Sequence, residues 1–149
     1  MLDIDELRQQ HKAIMVRATG LRGLGDMIKT REDAREARGA IDGIHKMLSD
    51  HLTLEDDHLY PALLACGEAT ISAMAADCAE EMGGILGAWI DYRARWTASA
   101  ILDDPRRFGA ATAGVIGALA LRVERENVEL YPAVEALSVM PADVRRAAA

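Results

Sequence analysis

Two side chains one helical turn apart, His51 and Glu55, are the pair in this sequence best suited to holding a metal ion. On a helix, residues at i and i+4 lie one above the other, so the imidazole and the carboxylate project toward the same point. Such a donor set suits Fe(II), and also Zn(II) or Mn(II), since affinity alone does not choose between them. Glu55 also opens a phrase that the chain repeats. Glu55-Asp56-Asp57-His58-Leu59-Tyr60-Pro61-Ala62 returns as Glu126-Asn127-Val128-Glu129-Leu130-Tyr131-Pro132-Ala133, an ExxxLYPA pattern displaced by seventy-one residues. The second copy keeps its carboxylate, Glu126, but has Arg122 where the first has His51.

The elements that must position these groups read as helices. Half of the 149 residues are apolar and only 4% aromatic, and Ala, Leu and Met lose little rotamer freedom in a helix. The spacing predicts a first helix over about Asp3 to Met27, with Ile4, Leu7, His11, Ile14, Ala18 and Leu21 on one stripe. Thr30, with Asp33 as a near capping box, opens a second that ends near Gly67. Its stripe is Ala37, Ile41, Ile44, Leu48, His51, Glu55 and Leu59. A third, from about Thr70 to Ser99, turns Ile71, Met74, Cys78, Met82, Ile85, Trp89 and Tyr92 inward. Asp104 and Pro105 form an N-cap and first position for a fourth, carrying Phe108, Thr112, Val115, Leu119, Arg122, Glu126 and Leu130. Pro61 and Pro132 should kink or shorten the last turns of their helices. At ~1.5 Å per residue the polar interruptions of the four stripes fall in one layer.

A formal charge of -7 opposes binding to nucleic acid or to an anionic membrane. The run from Ala113 to Leu121 is too short to span a bilayer. The acidic start, Met1 to Glu6, lacks the apolar core of a secretory signal. Cys66 and Cys78 share no CxxC spacing and need no oxidising compartment. A soluble cytoplasmic protein is expected, with its oligomeric state open.

His11 on the first helix, His51-xxx-Glu55 on the second, and Glu126 before Leu130-Tyr131-Pro132 on the fourth resemble the hemerythrin-like (HHE) cation-binding family. The resemblance runs from His11 through Pro132, and HLTLEDDHLYP is its most specific piece. It implies an all-α, antiparallel up-down-up-down four-helix bundle over residues 1–137, with 138–149 as a C-terminal tail in which Pro141-Ala142-Asp143 could begin a further turn. It also implies a non-haem di-iron centre. One iron would take a histidine from each of the first two helices, matched by His11 and His51. Glu55 and Glu126 match the two bridging carboxylates. The second iron would take an HxxxH from helix 3 and a histidine from helix 4. Here those places hold Cys78, Met82 and Arg122.

Arg122 discriminates between three readings. A guanidinium on a core stripe must be paired or snorkel to the rim, because it does not deprotonate. Glu126 at i+4 and Glu55 in the same layer are its natural partners, which makes Arg122 a candidate surrogate for the second metal's charge. In the first reading His11, His51, Glu55 and Glu126 hold one metal, with iron foremost, in an oxygen- or redox-sensing protein whose ligand would be a small gas. In the second the chain is a metal-free interaction or regulatory module, with a protein partner and a buried salt-bridge network. In the third a di-metal site survives on substitute ligands drawn from Glu81, Asp77, Cys78, Met82 and His58. No general base or substrate pocket can be named, so binding rather than catalysis is expected. Tyr60 and Tyr131 are expected as half-buried rings with their hydroxyls at the rim, and His45 as a flanking residue.

Overall fold

The computed structural model describes residues 3–137, and no strand occurs among them. Helix α1 (Ile4–Gly25) begins where the Asp3 carboxylate accepts from the backbone N–H groups of Asp5 and Glu6. Helix α2 (Arg31–Leu54) opens on a complete capping box: Asp33 N–H donates to the Thr30 hydroxyl, and the Asp33 carboxylate accepts from the N–H of Thr30. Such reciprocal pairing satisfies donors that have no partner within the helix. Helix α3 (Tyr60–Leu64) follows directly, and the chain then turns at Gly67, whose φ of +80° is the left-handed region that glycine alone enters freely.

The third arm is broken where the spacing predicts one helix. Helix α4 (Ala69–Met82) stops at Gly83-Gly84, α5 (Ile85–Arg95) stops at Trp96, and α6 (Ala98–Asp103) is re-capped by the Thr97 hydroxyl. The periodicity carries through the break, which is why it does not show in the stripe. Ile71, Cys78, Met82, Ile85, Trp89 and Tyr92 are buried as expected, with Ala75 taking the place foreseen for Met74. Helix α7 (Pro105–Arg125) is capped by the Asp104 carboxylate with Pro105 in its first turn, as the sequence indicates. Its buried stripe uses Ile116 rather than Val115. Helix α8 (Tyr131–Leu137) ends the described chain, and residues 138–149, including the Pro141-Ala142-Asp143 turn, lie outside it.

The two prolines act upstream of themselves. Each is preceded by a five-residue π-helical turn, Glu55–Leu59 between α2 and α3 and Glu126–Leu130 between α7 and α8. In a regular α-helix Pro61 would have no N–H for the Asp57 carbonyl, and its ring would clash with it. Widening the turn by one residue relieves this: Tyr60 N–H donates instead to the Glu55 carbonyl, and Tyr131 N–H to that of Glu126. The widening changes what faces inward. Residues five apart on an α-helix diverge by about 140°, yet Glu55 and Tyr60 are both buried, as are Glu126 and Tyr131.

Helix α1 packs against α2 and α7, and α5 packs against the same two from the other side. His51 meets Gln10 near one end of the α1–α2 pair while Gly43 meets Arg17 further along, so the two run in opposite directions. Toward the end where α7 begins, Trp89, Tyr92, Trp96 and Phe108 pack edge and face. There α1 and α7 approach closely, and a Cβ on Gly109 would stand 3.0 Å from the Gly25 carbonyl oxygen. Full burial of each large apolar side chain is worth about 1.5–3 kcal/mol. That apolar end supplies the cohesion against which a polar layer can be held in the other half.

Candidate metal centre

That layer collects His11 from α1, His51 from α2 and the leading glutamate of each π turn, Glu55 and Glu126. Their exposures are 1%, 3%, 0% and 0%. One donor atom from each lies within 4.8 Å of every other, so the four could hold a metal ion. The first four residues named from the sequence are therefore brought together. The rings of His11 and His51 meet edge to face at 4.6 Å.

Each imidazole is tied from outside. His11 Nδ1 lies 2.8 Å from Asn127 Oδ1, and His51 Nδ1 lies 2.7 Å from Gln10 Oε1. An amide oxygen only accepts, so both Nδ1 atoms carry the hydrogen and each Nε2 is turned toward the carboxylates. His51 Nε2 approaches Glu55 Oε1 at 3.0 Å but out of line for a hydrogen bond. His11 Nε2 stands 3.4 Å from Glu126 Oε1. His51 Nε2 and Glu126 Oε1 are the buried side-chain atoms among the described residues left without a hydrogen-bond partner. Buried polar atoms are nearly always paired. Two unpaired ones inside a single cluster of potential ligands are atoms a cation would satisfy, so the residues present fit a metal.

The opposite side of the layer is filled by Arg122, 1% exposed. Its Nε donates to Glu126 Oε2 at 3.1 Å, and Nη2 donates to Glu55 Oε1 at 3.4 Å and to Asp56 Oδ1 at 2.7 Å. Nη1 reaches the Met82 carbonyl at 3.4 Å. The guanidinium therefore does not snorkel. It lies between Glu55 and Glu126 with Asp56 as a third partner, and a cavity of about 280 Å³ bordered by Asp56, Tyr60, Met82, Gly83 and Arg122 reaches its outer side.

Tyr60 and Tyr131 depart from expectation. Both are buried, and their hydroxyls point inward in a crossed pattern: Tyr60 donates to Glu126 Oε2 at 2.8 Å and Tyr131 to Glu55 Oε2 at 2.6 Å. Each repeat thus supplies the hydroxyl for the other repeat's glutamate, because the π turn swings the tyrosine to the inner face. Burial and the neighbouring carboxylates push both phenols far up, so they remain neutral donors.

The substitute ligands are not brought in. Asp77 and His58 are exposed, and Glu81 is exposed and paired with Arg125. They sit a step off the inward stripe, which the periodicity only narrowly separates from it. Cys78 and Met82 are buried but outside the ligand group. Burial pushes the Cys78 thiol up, away from the thiolate a metal would need, and Met82 offers its carbonyl, not its sulfur, to the site. His45 sits apart, accepting from Trp89 Nε1 at 3.1 Å.

The charges oppose one another unevenly. Burial would raise the Glu55 carboxyl, but His51, Arg122 and the Tyr131 hydroxyl outweigh it and hold Glu55 below its usual range. Glu126 moves the other way: burial and the charge of Glu55 exceed the help of His11, Arg122 and Tyr60. Burial disfavours charge on His11, yet Glu126, Asn127 and Glu55 raise it overall. Arg122 itself is raised, its carboxylates outweighing the burial that opposes it.

Asp56, Gln10 and Asn127 were not singled out by the sequence reading. Asp56 and Asn127 had a signal, since each directly follows the glutamate of its repeat. Gln10 had none, because it reaches across from α1 to α2.

The family model described as the hemerythrin HHE cation-binding domain matches residues 2–134. The chain belongs to that family. Comparison with curated proteins and with solved structures gives no match.

Proposed function

We propose that this chain binds one divalent metal, iron foremost with zinc or manganese as substitutes, through His11, His51, Glu55 and Glu126. In this reading Arg122 takes the electrostatic place of a second ion. The observation that carries it is the unpartnered pair, His51 Nε2 and Glu126 Oε1, inside a four-residue ligand cluster. When bound, a ferrous ion with four protein ligands would offer an open position to a small gaseous molecule, chemistry suited to oxygen or redox sensing. The protein's own part is orientation and exclusion of water. Asn127 and Gln10 fix the imidazoles, Tyr60 and Tyr131 fix the carboxylates, and Arg122 holds Glu126 by the oxygen turned away from His11 and Glu55 by the oxygen that His51 also faces.

Among the described residues no helix is long and apolar enough to cross a membrane. The acidic composition opposes a nucleic-acid or anionic-lipid ligand. The metal-free interaction module is the second reading, supported by the hydrogen bonds through which Arg122 closes the layer unaided.

Metal analysis of protein purified without chelator or affinity tag separates them. The proposal expects about one metal per chain, without the visible absorption of a coupled iron pair. Two per chain would favour a di-metal site on other ligands. None, after anaerobic reconstitution with ferrous ion, would leave the metal-free module.

A further inference from the structure

The outer hydrogen bonds carry a consequence for affinity that rests on the proposed metal site. Gln10 and Asn127 are half-buried, come from different helices, and touch no donor atom that faces the cluster. Each places an amide oxygen on the one imidazole nitrogen that points away from it. Free imidazole distributes its hydrogen between two nitrogens and turns about its side-chain bonds. Here both freedoms are restricted before any ion arrives, and each Nε2 faces inward, that of His51 unpartnered and that of His11 3.1 Å from the Tyr131 hydroxyl.

The repeat supplies a second, independent observation. Asn127 occupies the position in its π turn that Asp56 occupies in the other. Asp56 sets a carboxylate on the fixed cation Arg122, at 2.7 Å, whereas Asn127 sets a neutral amide on His11, at 2.8 Å. One backbone position thus serves twice as the outer support of the layer, and its side chain follows the group it supports.

We propose that Gln10 and Asn127 are positioning residues that set the metal affinity of this centre by holding His51 and His11 with their Nε2 lone pairs turned inward. The test uses Zn(II) alone, titrated into the full chain in competition with a chromogenic chelator. Gln10→Leu and Asn127→Leu should each weaken zinc about 10–100-fold, the usual effect of losing such an outer partner. Gln10→Glu and Asn127→Asp keep the acceptor and add negative charge outside the ion, so they should bind zinc at least as tightly as the wild type. In the metal-free protein, at a pH above the titration of both rings, nitrogen-15 spectra should show the Nδ1–H tautomer for both histidines in the wild type, and mixed tautomers in the leucine variants. A purely structural role would not move that signature.

If the leucine variants do not fold, the carboxylate variants still decide, since weaker binding in them overturns the inference. So do leucine variants that bind zinc within about twofold of the wild type, well short of the expected loss. A wild type that takes up no zinc would instead sink the metal site itself, so the two failures are distinct.

Discussion

Removing the guanidinium of Arg122 is the sharpest perturbation the structure offers. Arg122→Ala leaves Glu55 and Glu126, both fully buried, facing each other without a cation, and leaves Asp56 to turn toward solvent from a side chain already 28% exposed. Breaking a buried ion pair by deleting one partner costs about 3–5 kcal/mol. The lower end applies here. Burial already raises the Glu126 carboxyl, and Tyr60 and Tyr131 still donate to the two carboxylates. With a urea dependence of about 2 kcal/mol per molar, the midpoint of the metal-free protein should fall by about 1.5 M near neutral pH. Without the cation the Glu126 carboxyl, already above its unfolded value, rises further, and Glu55 loses one of the groups that hold it down. Folding then takes up protons, so the variant gains stability as pH falls through that raised range. In the wild type, Glu55 sits below its unfolded value and loses its contribution in acid. The gap between the two proteins must therefore narrow on acidification. Equilibrium urea unfolding at several pH values, followed by circular dichroism, measures both effects. A change under about 0.5 kcal/mol at neutral pH, the size of an ordinary surface substitution, would refute the metal-surrogate role.

Arg122→His should be milder than Arg122→Ala and should raise metal stoichiometry above that of the wild type, as read by elemental analysis, because it restores a ligand and frees space. Tyr131→Phe and Tyr60→Phe each remove a hydroxyl from a buried carboxylate and should cost about 1.5–3 kcal/mol in urea unfolding, the range for hydrogen bonds to charged groups. The raised pKa of His11 means that its charge stabilises the metal-free fold below the unfolded value near 6.5 and that this contribution is lost as pH rises through the folded one. Because an ion must displace that proton, zinc affinity should increase over the same window and level off above it, with His11→Gln flattening the slope in chelator competition. Saturating zinc at about a hundred times its dissociation constant should stabilise the protein by about 2.7 kcal/mol, and chelator should remove that gain, as thermal unfolding would show.

The arms and their inner faces were legible because apolar residues at helical spacing, the Thr30 and Asp104 caps and Pro105 all act locally. The buried His and Glu cluster was legible for a related reason: His11, His51, Glu55 and Glu126 lie on those same stripes. The break at Gly83-Gly84 was not, since it preserves the phase on either side. The π turns were hidden for the opposite reason. Pro61 and Pro132 announce a disturbance, but whether it appears as a kink or as a widened turn depends on where the freed carbonyls find donors. That choice decides the inward direction of Tyr60 and Tyr131, so assigning them to the rim followed from assuming α-helical phase throughout. Gln10 shows the limit most simply, because its role exists only between two helices.

The depth of the cluster has a consequence for time rather than for strength. With all four side chains of the cluster at 3% exposure or less and two tyrosines behind them, an ion of the proposed kind has no way to them through the static surface. It must wait for an arm to part, and the π turns, where the helical ladder changes register beside both glutamates, are the natural places for such an opening. Uptake and loss of metal should then share one slow step that does not accelerate with added metal once opening limits it. An ion bound as proposed would be kept long after the surrounding supply has changed.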